Sequence, residues 1–154
     1  MSDSSIQLGS GGSILFVGNS FTFGRVDPVM SYNTANVRDL TAPVPGTTFA
    51  NTQGSNPYEP HPWGGVPGIF EAFAQQAGLE LDVAISARNA ATLQGQYLNS
   101  NPAGWDLRGN VASQRWDILV LQDNSTQPLP SGTGSITFAA GSSTRSSAPP
   151  STSS

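Results

Sequence analysis

A chain of 154 residues is long enough for one domain around one core and gives no reason to seek a second. Six arginines, no lysine and ten acids leave a formal charge of −4, which excludes nucleic acid or an anionic membrane as the main partner. Cysteine is absent, which excludes a disulfide framework, a thiolate zinc site and a cysteine nucleophile and leaves the redox compartment open.

The opening residues, Met1-Ser2-Asp3-Ser4-Ser5, are polar without a basic region, and the first apolar run is too short for a signal peptide or a membrane span. They imply a soluble chain, cytoplasmic by default, with residues 1–12 as a flexible lead; Gly9-Ser10-Gly11-Gly12 reads equally as a linker. Ile14-Leu15-Phe16-Val17 then predicts a buried strand. Gly18 permits a tight exit from the sheet, and Ser20 arrives where a parallel strand meets solvent, as a nucleophile must.

From Gly24 to Gly65 no helical or alternating period is sustained, and Pro, Asn, Gly and Thr dominate. So long an irregular segment is either a functional loop or a sign of unrecognised elements. Its end, from Asn56 to Gly65, joins stiff prolines to aromatic rings and predicts a rim where Tyr58 and Trp63 contact substrate, a packed surface loop being the plainer alternative.

Pro67 marks a helix start, with Ile69, Phe70, Phe73 and Ala77 on its core face and Gly78 as its stop. Leu79 to Ile85 alternates and predicts a strand toward one side of the sheet. A weaker helix follows from Ala90 to Leu98, closed by Asn101-Pro102. Ile118-Leu119-Val120-Leu121 predicts a strand buried on both faces. Strands alternating with helices imply an α/β fold, three layers α/β/α around a parallel sheet, with these three strands adjacent.

The composition then shifts abruptly. Of the 25 residues from Pro130 to Ser154, 22 are Ser, Thr, Gly, Ala or Pro, too little apolar surface to offset ~1–2 kcal/mol per residue of backbone ordering. Residues 130–154 are therefore expected to be a disordered, dispensable tail. A natural Ser/Thr linker, a shortened chain and an out-of-frame translation all produce such a segment. Arginine without lysine points to GC-rich coding DNA and favours the third.

Two blocks carry chemistry. Gly18-Asn19-Ser20-Phe21-Thr22 after a strand, and Leu121-Gln122-Asp123-Asn124-Ser125 after another, resemble the SGNH or GDSL-like hydrolases, in the branch reading Gly-Asn-Ser-Phe-Thr. The resemblance covers residues 13–129 and implies an SGNH (flavodoxin-like) α/β fold of about five strands, here incomplete at the C-terminus. It makes Ser20 the nucleophile, Asn124 an oxyanion donor, and Gln122 the occupant of the family's glycine position. Asn19 and Asp123 fall beside them as substrate contacts. The family's second block supplies a glycine N–H to the oxyanion; no glycine lies in Ser86 to Leu93, and Asn89, tolerant of unusual backbone angles, is the stand-in. Arg88 beside it holds an anionic product or caps a helix.

The family's fourth block, Asp-x-x-His, occurs nowhere in the chain. The single histidine, His61, lies in a Pro-His-Pro context that reads as structural. The ten acids show no metal-ligand spacing, and without lysine there is no Walker-type phosphate loop. What the resemblance implies is an esterase acting through an acyl-serine intermediate on a small-molecule or carbohydrate ester, without metal or organic cofactor, and inactive in this form for want of a base. The rivals are a non-catalytic ligand-binding module on the same fold, recognised by binding without cleavage, and a gene fragment without function. Oligomeric state is not determined by the sequence.

Overall fold

The computed structural model describes residues 11–41, 62–100 and 105–125, with the backbone of 49–50 and 58–59. His61, the lead up to Ser10 and the tail from Pro130 lie outside the described residues. In chain order the elements are β1 (Gly12–Gly18), α1 (Ser20–Phe23), a 3₁₀ turn (Thr34–Asn36), β2 (Arg38–Asp39), β3 (Phe49–Ala50), β4 (Tyr58–Glu59), α2 (Gly65–Gln76), β5 (Leu81–Ala87), α3 (Leu93–Leu98), α4 (Leu107–Ala112) and β6 (Ile118–Leu121).

Four strands form one parallel sheet in the order β2-β5-β1-β6, and β3 and β4 make a separate antiparallel pair. The three expected strands are adjacent, with β1 in the middle: Gly12 pairs Leu81 through to Gly18 with Ala87, and Ile14 pairs Ile118 through to Val17 with Leu121. The fourth strand, β2, lies inside the segment that showed no period. Two residues are too few for an alternation to register.

Helices cover both faces, because the strand residues alternate. Ile14, Phe16, Val83 and Ile85 face Phe23, Val37, Trp63 and Phe70 on one side; Leu15, Val17 and Ala84 face Leu93, Leu107 and Trp116 on the other. Each large aliphatic or aromatic side chain so buried contributes ~1.5–3 kcal/mol.

Helix α2 departs from expectation in its buried face. Pro67, Gly68, Glu71 and Ala74 face inward, Ile69 and Phe70 are half-buried, and Phe73 is 64% exposed with Ala77 beside it in solvent. A Cβ on Gly64 or Gly68 would overlap the Tyr32 carbonyl oxygen, so the helix start is seated by backbone approach and not by large apolar side chains. Glu71 is drawn inward by Asn33, whose Nδ2 donates to it at 2.6 Å. The stop is as expected: Gly78 (φ 74) lets Leu79 N–H return to the Ala74 carbonyl.

Trp63 is likewise corrected. It is not at a rim but wholly buried, its ring stacked on Phe23 with centroids 3.9 Å apart and its backbone N–H donated to Asp39 Oδ2. The second crossover also differs, since Thr92 caps α3 three residues later than expected and Asp106 caps the further helix α4.

β6 is an edge among the described residues, not a strand covered on both faces: Leu119, Val120 and Leu121 are 43%, 37% and 56% exposed. A continuous apolar run sets the strand but not its place in the sheet order. Its register is fixed at the lower end by Asp117, whose Oδ2 accepts from Ser13 N–H (2.8 Å) and Ser13 Oγ (2.9 Å). Asp117 N–H returns a bond to the Ser13 carbonyl at 3.1 Å.

The Ser13 backbone bond, then its hydroxyl, hold the Asp117 carboxyl below its ordinary value of 3.8 against a smaller opposing effect of burial, with Arg115 assisting. A depressed carboxyl stabilises the fold fully above its unfolded value of roughly 3.9 and loses that contribution as pH falls through the lower folded value. Urea melts across roughly pH 5 to 2 should therefore show a shallower acid loss for Asp117→Asn than for the wild type.

Candidate active site

The chain leaves β1 toward the face carrying α1 and α2, and leaves the neighbouring strand β5 toward the face carrying α3 and α4. Adjacent parallel strands with exits on opposite faces open a crevice above their C-terminal ends, where ligands bind in sheets of this type. Ser20 stands on the β1 side of that crevice, and Arg88 and Asn89 on the β5 side. Arg88 N–H donates to the Gly18 carbonyl at 3.1 Å, joining the two exits.

Ser20 is the first residue of α1 and half-buried. Among the described residues its hydroxyl has no hydrogen-bond partner. The residue before it is locked: Asn19 is 2% exposed, its N–H donates to Gln122 Oε1 (3.0 Å), its Nδ2 to the Ala91 carbonyl (3.2 Å), and its Oδ1 accepts from Phe21 N–H (3.1 Å). Asn19, expected as a substrate contact, makes these bonds within the protein and holds the start of α1, where Ser20 stands.

Gln122 joins the two motif blocks. Its N–H donates to the Val17 carbonyl (2.9 Å), its Oε1 also accepts from Thr22 Oγ1 (2.9 Å), and its Nε2 donates to the Asp123 carbonyl. Gly18 has to lack a side chain for this to form, because a Cβ there would overlap Thr22 Oγ1 and lie 2.7 Å from Gln122 Oε1. The glycine thus serves close approach, and its φ is not left-handed. Asp123 Oδ1 accepts from Leu93 N–H (2.9 Å) and Asn124 N–H (2.7 Å), orienting the start of α3. Its Oδ2 is buried and unpartnered among the described residues.

Asn124 is half-buried past the end of β6, on the same sheet edge as Ser20. Asn89 lies half-buried in the turn after β5, but the left-handed residue there is Ala90 (φ 55), one position later. Tyr58 pairs through its backbone with Ala50, and its side chain lies outside the described residues. Two supporting residues escaped the sequence reading. Gln96, 3% exposed, donates from Nε2 to the Gly18 carbonyl (2.9 Å), and Thr22 supplies the hydroxyl held by Gln122. Gln96 is three residues from the apolar Leu93, and a polar group on the inward side of a helix was the available signal.

No family model, curated protein or solved structure matches the chain. Among the described residues no group of three His, Cys, Asp or Glu side chains could hold a metal ion, and no helix is long and apolar enough to cross a membrane. The arrangement presents a half-buried hydroxyl on a rigid support at the C-terminal edge of the sheet.

Two substitutions test this support. Gln122→Leu strips the acceptor from the Asn19 N–H and should destabilise by about 1–3 kcal/mol in denaturant melts. Ala90→Gly relieves a left-handed alanine worth ~1–2 kcal/mol against a smaller loss from unfolded-state entropy, and should raise stability by up to ~1 kcal/mol.

Proposed function

We propose that the chain is a serine ester hydrolase of SGNH type, with Ser20 attacking an ester carbonyl of a small molecule or acylated carbohydrate. The observation that carries this reading is the position of Ser20: directly after the middle strand, at the crevice, on an Asn19 held by Gln122 of the second motif block. In the reaction the Ser20 Oγ bonds to the carbonyl carbon, its proton passes to a base, and the alcohol leaves with a proton. Water then cleaves the acyl-serine. Asn124, following β6, and the turn at Asn89 are the candidate oxyanion donors.

The base is what the described residues do not provide. The Ser20 hydroxyl has no hydrogen-bond partner among them, and no Asp-x-x-His follows Asn124. General-base assistance is typically worth ~10²–10⁴ in rate. The same observation favours a second reading, in which the crevice binds an acylated ligand without turnover.

The 154-residue chain should hydrolyse a short aryl ester no faster than its Ser20→Ala variant. Added imidazole, a diffusible base, should raise the rate of the wild type above that of the variant measured in the same buffer. Equal rates at all imidazole concentrations would reject Ser20 as a nucleophile and leave the binding reading. Ser20-dependent cleavage without imidazole would show that a base is already present, and His61→Ala would identify it.

A further inference from the structure

Three arginines of the described residues lie on aromatic rings, and they are not equivalent. Arg38 rests on Trp116 at 5.4 Å and is neutralised by Asp82, Nη2 to Oδ2 at 2.5 Å, with Gln114 alongside. Burial raises the Asp82 carboxyl, and the bonds from Arg38 and Gln114 outweigh it and hold the group below its ordinary value. Arg108 rests on Tyr97 at 5.7 Å and reaches the Ser100 carbonyl. Arg88 has the closest stack, 4.6 Å over Trp105, yet its guanidinium donates to no described residue. The carboxylate next to Trp105 in the chain, Asp106, is already engaged by Gly109 N–H and Ser100 Oγ in capping α4.

The stack lies at the crevice. Helix α4 runs antiparallel to β5, as three contacts in order show: Trp105 with Arg88, Asn110 with Ser86 (2.9 Å), and Gln114 with Asp82 (2.9 Å). Trp105 therefore sits at the C-terminal end of β5, the edge that carries Ser20. A guanidinium held over an indole ring, with none of its N–H groups spent on a described residue, keeps the planar donor fork that suits a carboxylate. The stack is not needed to hold α4, which is fixed by Leu107 in the core, by Asn110 on the Leu40 carbonyl and Ser86, and by Gln114 on Asp82.

We propose that Arg88, supported by Trp105, is a carboxylate-binding residue of the crevice, and that the ligand is an ester carrying a free carboxylate. The ester part of this assignment rests on the reading of Ser20; the carboxylate part does not. An acidic chain repels anions at long range, so the recognition is local and falls on this one guanidinium.

The probe is monomethyl succinate, which has one ester and one carboxylate, with dimethyl succinate as the neutral control. Titration followed by NMR should give saturable shifts at Arg88 Nε–H and Trp105 Nε1–H with the monoester and none with the diester. Arg88→Gln should weaken binding roughly tenfold or more, because a charged hydrogen bond is removed, and Arg88→Lys should weaken it less. Ser20→Ala should bind as the wild type does, so the result stands or falls apart from any cleavage. No saturable shift, equal shifts with the diester, or binding unchanged in a folded Arg88→Gln would each overturn the proposal.

Discussion

The C-terminal edge of the sheet depends on one steric constraint, the absence of a side chain at Gly18. Into that space come Thr22 Oγ1 and Gln122 Oε1, and the Gln122 oxygen then takes the Asn19 N–H. Three strands are joined there, since the Gly18 carbonyl accepts from Arg88 after β5 and from Gln96 on α3, while Gln122 N–H returns to Val17. Ser20 inherits its position from this network. A methyl at residue 18 would push the two motif blocks apart before it touched the serine itself.

The face behind Ser20 is built on a similar economy of polar groups. Asp39, 5% exposed, accepts from Thr41 N–H and Trp63 N–H, and Thr41 Oγ1 in turn accepts from Ala87 N–H at the end of β5. Glu71 is buried against Asn33. Buried carboxylates of this kind are tolerated only with their lone pairs occupied, and removing a donor is expensive. They tie the irregular segment after α1 to the sheet where apolar residues are few. Trp63, stacked on Phe23, belongs to this foundation.

Strand β6, the edge of the sheet among the described residues, presents the opposite situation, with exposed apolar side chains on a strand paired along one side there. Its place is secured from its ends, by Ser13 and Asp117 below and Gln122 above, and less by burial. Hydrogen bonds to an ionised carboxylate carry the lower end. The strand is thus tied by a carboxylate at one end and by a neutral amide at the other.

The sequence by itself determined the strands β1, β5 and β6, their parallel adjacency, the α/β class, the stop of α2 at Gly78, and the position of Ser20 at the end of β1. These follow from local properties: unbroken apolar runs, a terminal glycine, and the geometry of a strand-to-helix turn. Only the tertiary structure decided which neighbours those elements meet. It placed β6 at the edge of the sheet among the described residues, turned Phe73 outward and Glu71 inward, and buried Trp63; it committed Asn19 and Gln122 to each other and put the left-handed turn at Ala90. Each depends on a residue far away in the chain, such as Tyr32 against Gly68, Asp39 at Trp63 or Thr22 over Gly18, and a pairing of that kind leaves no period or motif for the sequence to display.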